Sequence, residues 1–88
     1  METRETVALK IREYVAENFL FSEGGFPYGD DESFLESGII DSFGFTELLS
    51  FVEDEFGISV AGHELVPDNF DSVSRLSSFI VRKQGSGA

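Results

Sequence analysis

Apolar residues recur at helical spacing in three stretches of the chain, each bounded by turn-forming or capping residues. This pattern predicts helices over residues 3–19, 42–56 and 71–83, the last of which begins at Asp71 or Ser72. Thr3 is the expected N-cap of the first helix, with Glu2 and Glu5 near its positive end. The side chains predicted to face a common core are Val7, Ile11, Val15, Phe19, Phe45, Leu48, Leu49, Val52, Phe56, Val73, Leu76 and Ile80, with Tyr14 and Phe79 beside them.

The two connections between these helices differ in composition. Residues 22–40 are rich in Gly and contain Pro27, so they predict a long irregular loop. Ser33 is expected to cap a short turn within it. Residues 58–71 are expected to hold one short helix near 62–66, ended by Pro67. The apolar loop residues expected to close the bundle are Phe26, Phe34, Leu35, Ile39 and Ile40.

Together these elements predict an all-α fold. It is a small four-helix bundle, with three longer helices, one short helix and a long first loop. The chain has 88 residues, which predicts a single domain over 1–84 followed by a flexible tail at 85–88.

Residues on both sides of position 42 define where the second helix starts. Asp41 is a good N-cap, and Ile40 and Phe45 have the spacing of a hydrophobic staple around it. Ser42 then becomes the first helical residue, with its hydroxyl directed to solvent. Two uses of this serine remain open: a spare cap, or the attachment point of a phosphate ester, which the partial positive charge of a helix N-terminus tolerates.

Charge excludes two classes of partner. The formal net charge is −11, and no Lys or Arg occurs between Glu13 and Ser74. Binding to nucleic acid or to an anionic membrane is therefore not expected, because both need cations on the protein. The acidic surface either aids solubility or steers basic partners. With no apolar run of membrane-spanning length and no apolar signal segment, we expect a cytoplasmic protein. The high net charge leads us to expect a monomer.

The sequence offers no set of catalytic or metal-binding residues. It has no cysteine and a single histidine, His63. The acidic run Asp30-Asp31-Glu32 lacks the ligand spacing of a calcium-binding loop, and Gly24-Gly25 lacks the Lys and Ser/Thr of a phosphate-binding loop. We therefore predict a protein that enzymes act on, not an enzyme, and no metal site.

The second helix and the segments on either side of it resemble those of the acyl and peptidyl carrier proteins. The resemblance rests on Asp41-Ser42-Phe43, on Glu47-Leu48, on the acidic end of the helix at 53–57 and on residues 67–73, and it extends over about 34–80. It implies that a phosphopantetheinyl transferase attaches 4′-phosphopantetheine from coenzyme A to Ser42. An acyl or aminoacyl ligase or transferase would then load a thioester on the arm, which downstream biosynthetic enzymes use.

The resemblance also implies a docking surface and a class of cargo. Asp41, Glu47, Glu53 and Asp54 match acidic positions that meet Arg and Lys of partner enzymes in related carriers. Gly44 and Ser50 depart from the pattern of many fatty-acid carriers, which favours an aminoacyl, aryl or short acyl cargo. Met1 lies close to the first helix, which favours a stand-alone carrier. The alternative is an acidic helical adaptor or nucleic-acid mimic that binds a basic protein without a covalent cofactor.

Overall fold

The computed structural model describes residues 3–21 and 24–85, and within these ranges it contains helices and loops but no β-strand. The all-α four-helix bundle predicted from the sequence is confirmed. No helix in the described ranges has both the length and the apolar character needed to cross a membrane. The helices are α1 (Arg4–Val15), α2 (Ser42–Phe56), α3 (Pro67–Phe70) and α4 (Val73–Gly85), with a π-helical turn at Ala16–Leu20 and a 3₁₀ turn at Gly62–Glu64.

Helix α4 is the element against which the others pack, since α1, α2 and α3 all contact it. The predicted stripes of α1 and α4 are buried, and so are Leu48, Val52 and Phe56 of α2. Phe19, Phe45 and Leu49 are half-buried against the same core. The periodicity therefore identified the inward faces of all three longer helices.

The first helix ends differently from the prediction. Thr3 caps it as expected, with its hydroxyl oxygen accepting the Thr6 N–H at 3.1 Å, whereas Glu2 lies outside the described residues. The α-helix stops at Val15 and continues as a π-helical turn to Leu20, where the prediction had one helix to residue 19. Phe19 lies in this wider turn, and its ring packs against the first turn of α2 at Gly44.

The first loop is held to the core by Phe34. This residue is fully buried, its N–H donates to the Asp71 carbonyl at 2.9 Å, and its carbonyl accepts the Ile39 N–H at 2.9 Å. Ser33 caps the turn as predicted, because its hydroxyl oxygen accepts the Glu36 N–H. The prediction that Leu35 helps to close the core of the bundle is wrong. Leu35 is 43% exposed, since it follows buried Phe34 within the tight turn.

The second connection was predicted with its helix in the wrong place. Residues 62–64 form only a 3₁₀ turn, and Pro67 begins α3 instead of ending a helix. Proline suits the first helical position because the N–H that it lacks has no intrahelical partner there. Helix α4 begins at Val73, slightly later than the predicted Asp71 or Ser72, with the Ser72 hydroxyl accepting the Arg75 N–H. It ends at Gly85, so this residue belongs to the helix and not to the predicted tail, of which 86–88 lie outside the described residues.

One ion pair joins the 3₁₀ turn to α4. Glu64 Oε1 lies 2.9 Å from Lys83 Nζ and also accepts the Ala61 N–H at 3.0 Å. The Ala61 hydrogen bond, followed by the Lys83 contact, lowers the pKa of Glu64 below its ordinary value of 4.5. The lowered pKa means that the folded state favours the ionised carboxylate.

We predict that Glu64→Gln makes stability less sensitive to acid. A folded-state pKa below the unfolded value adds stability that is fully present above pH 4.5 and is lost as the pH falls through the folded value. The wild type should therefore exceed the variant in free energy of unfolding at pH 7, and the difference should shrink below pH 4.5. Urea unfolding at several pH values measures it. A difference that does not change with pH would contradict the prediction.

Candidate functional site

The site predicted from sequence lies at the start of α2. Asp41 caps the helix as expected, because its Oδ1 accepts the Gly44 N–H at 2.8 Å. Asp41 and Ser42 are exposed, while Ile39 and Ile40 just before them are buried. The buried pair anchors the backbone, and the cap fixes the direction of the helix, so the serine is presented to solvent at a defined point.

Gly44 permits a close approach at the same end of α2. A Cβ placed on Gly44 would lie 2.7 Å from Ile40 Cγ2 and 2.7 Å from Phe19 Cε1. Both distances are shorter than carbon–carbon contact allows. Gly44 is therefore the position where the π-helical turn after α1 and the lead-in to α2 pack against the first turn of the helix.

Alanine at position 44 should destabilise the fold. Because two packed side chains must move, we expect a loss of about 1–3 kcal/mol, the usual range for overpacking. Denaturant unfolding measures the loss. Gly62→Ala is the matched control, since nothing lies within 4 Å of a Cβ at position 62. Equal effects of the two substitutions would show that the close packing at Gly44 is unimportant.

A groove opens beside Ser42. Its volume is about 220 Å³, and apart from Ser42 all of its lining residues are apolar. Phe45 forms part of the wall from α2, and the connection before α4 supplies most of the rest. The lining residues are Leu35, Ser42, Phe45, Leu65, Val66, Pro67 and Phe70.

A comparison with protein families gives this geometry its context. Residues 10–80 match the family described as phosphopantetheine attachment site. The chain belongs to the phosphopantetheine-binding carrier family. Members of this family carry covalently attached 4′-phosphopantetheine, and such carriers are generally not catalytic themselves. No individual curated protein matches the chain.

The residues at the start of α2 fit this cofactor. Ser42 is exposed, and the first N–H groups of any α-helix have no intrahelical acceptor, so the end of α2 tolerates a phosphodiester. Leu35 and Val66 are 43% and 38% exposed and line the apolar groove that starts at Ser42. The surface next to the serine can thus receive a phosphate at the helix end and less polar groups beyond it.

Phe43 is a feature of this surface that the sequence prediction did not include. Its side chain is 87% exposed, more than any other large hydrophobic residue described. An aromatic residue at the second position of an amphipathic helix, outside the buried stripe, was the available signal. Contiguous exposed apolar surface can mark a protein contact site, and Leu35 and Val66 of the groove at Ser42 are exposed as well.

The four acidic residues predicted for docking do not form one uniform surface. Glu47 and Asp54 are exposed on α2 at a spacing of seven residues, which places them on one face. Glu53 is half-buried, and its Oε2 accepts the Val60 N–H at 2.9 Å. Asp41 is exposed but uses one carboxylate oxygen for the cap. Glu53 therefore also has a structural role, which its sequence position did not reveal.

Proposed function

We propose that this protein carries acyl or aminoacyl intermediates as thioesters on a 4′-phosphopantetheine arm attached to Ser42 Oγ. The observation that supports the proposal is an exposed serine at a capped helix N-terminus, in a chain whose family carries this cofactor. When bound, the group supplies the terminal thiol, which the chain lacks because it has no cysteine.

Attachment requires a phosphopantetheinyl transferase as partner. Ser42 Oγ would form a bond to the phosphorus next to the pantetheine of coenzyme A, and the pyrophosphate bond to the adenosine part would break. The adenosine 3′,5′-bisphosphate leaves, and a base on the transferase takes the serine proton. The exposed Ser42 and Phe43 leave room for the transferase to approach.

The groove beside Ser42 favours a small cargo. A closed apolar cavity of about 150 Å³ can bind benzene, so an open groove of 220 Å³ suits one aromatic ring or a short acyl chain. The ring of Phe45 occupies one wall. We propose an aminoacyl, aryl or short acyl group, loaded by a ligase or transferase and passed to biosynthetic enzymes.

Thermal stability of the loaded carrier tests the cargo. We expect a benzoyl thioester to raise the melting temperature of the arm-bearing protein, because the ring can leave water for the groove. Octanoyl and longer chains should raise it no further than benzoyl does. A melting temperature that increases steadily with chain length would show that the groove opens for long acyl groups and would overturn the small-cargo proposal.

Mass spectrometry separates the carrier from the acidic adaptor. The purified protein is incubated with coenzyme A and a broad-specificity phosphopantetheinyl transferase, and its intact mass is measured. The carrier predicts one adduct, which peptide mapping assigns to Ser42, whereas the adaptor predicts none. The net charge of −11 supports a monomer, because two copies repel each other.

A further inference from the structure

The first loop is fastened to the joint between α3 and α4 by a single half-buried residue, Asp71. Its Oδ2 accepts the Ser33 hydroxyl, and its Oδ1 accepts the Leu35 N–H at 3.0 Å. Its backbone carbonyl accepts the N–H of Phe34, the residue between them, at 2.9 Å. Three successive residues of the loop therefore take their position from Asp71.

The two sides of the groove at Ser42 meet at this residue. Leu35 lines the groove from the first loop, and Phe70 lines it from α3. The backbone of Leu35 is hydrogen-bonded to the Asp71 carboxylate, and Phe70 directly precedes Asp71 in the chain. The carboxylate thus sets how far Leu35 stands from the opposite wall of the groove.

The rest of the loop is held by contacts that do not involve this carboxylate. Phe34 is fully buried, and its N–H bonds to a backbone carbonyl, which no side-chain substitution removes. The Ser74 N–H likewise donates to the Asp30 carbonyl at 2.9 Å. Leu35 is 43% exposed, so packing holds it only in part. Loss of the carboxylate should therefore release Leu35 while the loop stays attached to the bundle.

We propose that Asp71 is a positioning residue that limits the groove at Ser42 to one ring or a short chain. A longer chain would need Leu35 to move outward, which breaks a hydrogen bond between its N–H and a carboxylate. Such bonds are stronger than those between neutral groups, so the position of Leu35 close to α3 is favoured. The consequence for cargo choice rests on the proposed function of Ser42 as the attachment point.

A thiol placed at the groove tests the proposal without a transferase. The chain has no cysteine, so Ser42→Cys supplies a single thiol, to which methyl, benzyl and octyl methanethiosulfonate attach their groups as disulfides. With Asp71 in place, the benzyl adduct should melt higher than the methyl adduct, and the octyl adduct no higher than the benzyl adduct. With Asp71→Ala added, the octyl adduct should melt about 4 °C or more above the benzyl adduct, because the longer chain buries more methylene groups.

Comparison of adducts on one background removes the general stability cost of each substitution. Asp71→Asn keeps an oxygen that can accept the Leu35 N–H and should restore the order seen with Asp71. Asp68→Ala removes the same charge at an exposed carboxylate that pairs with Arg75, and it should also keep that order. If Asp71→Ala fails to fold, Ser33→Ala removes one of the two carboxylate bonds and should shift the order in the same direction by less.

Amide hydrogen exchange shows whether Leu35 is released. In Asp71→Ala the Leu35 N–H should exchange about tenfold faster, whereas the Phe34 N–H should keep its protection. An unchanged adduct order in both Asp71→Ala and Ser33→Ala would overturn the role of Asp71 alone. An octyl adduct that already melts highest with Asp71 in place would overturn both this role and the small cargo. Failure of a transferase to load Ser42 would contradict the proposed function and leave the adduct series unaffected.

Discussion

Replacing Ser42 by alanine should abolish loading with 4′-phosphopantetheine while leaving the fold intact. The substitution removes the one oxygen that we propose as the attachment point. Ser42 is exposed and stands at the first position of α2, so the lost contacts are few. Alanine is also a good helix former, and we expect stability to change by less than about 0.5 kcal/mol. Intact mass after incubation with the transferase measures loading, and thermal unfolding measures the fold.

Ser50→Ala is the matched control for this result. Ser50 is also exposed on α2, but it lies in the middle of the helix and not at its N-terminus. The control variant should be loaded as fully as the wild type. An adduct on the Ser42→Ala protein would contradict the proposal and direct attention to another hydroxyl. A variant that fails to load and is also unfolded by circular dichroism would contradict the expectation that Ser42 makes few structural contacts.

Local features made the ends of α2 predictable from sequence. Its N-cap depends on Asp41 and the N–H of Gly44, and its end on Gly57, which adopts the left-handed conformation with φ of 65°. Each of these features involves neighbours within one helical turn. The buried stripe of α4 could also be predicted from the sequence, because a periodicity of 3.6 residues indicates which side of a helix faces the core.

Contacts between distant segments explain what the sequence did not predict. The π-helical turn places Phe19 over Gly44, and Leu35 turns outward because Phe34 takes the buried position beside it. The groove at Ser42 combines residues from the first loop, α2 and the connection before α4. No periodic pattern encodes such a combination. The hydrogen bond from the Val60 N–H to Glu53 spans only seven residues, but it crosses the end of α2 and so lies outside the helical pattern.

Phe34→Ala should be the most destabilising substitution in the first loop. Phe34 is fully buried, and its ring centroid lies 6.5 Å from that of Phe45 at the groove wall. Removing such a side chain costs about 3–5 kcal/mol, of a total stability of about 5–15 kcal/mol for a typical domain. At about 4–8 °C per kcal/mol, the melting temperature should fall by at least about 12 °C. Calorimetry or circular dichroism measures the fall.

The same substitution at Phe43 is the control, because its side chain is 87% exposed whereas that of Phe34 is fully buried. Phe43→Ala should change stability by less than about 0.5 kcal/mol. The Phe34 carbonyl accepts the Ile39 N–H, so the turn at Phe34 positions the backbone before Ser42. Phe34→Ala should therefore also be loaded poorly above its lowered melting temperature, where the variant is unfolded. Loading should recover on cooling, where the variant is folded. Equal melting temperatures for the two variants would contradict the role of Phe34 in fixing the loop that presents Ser42.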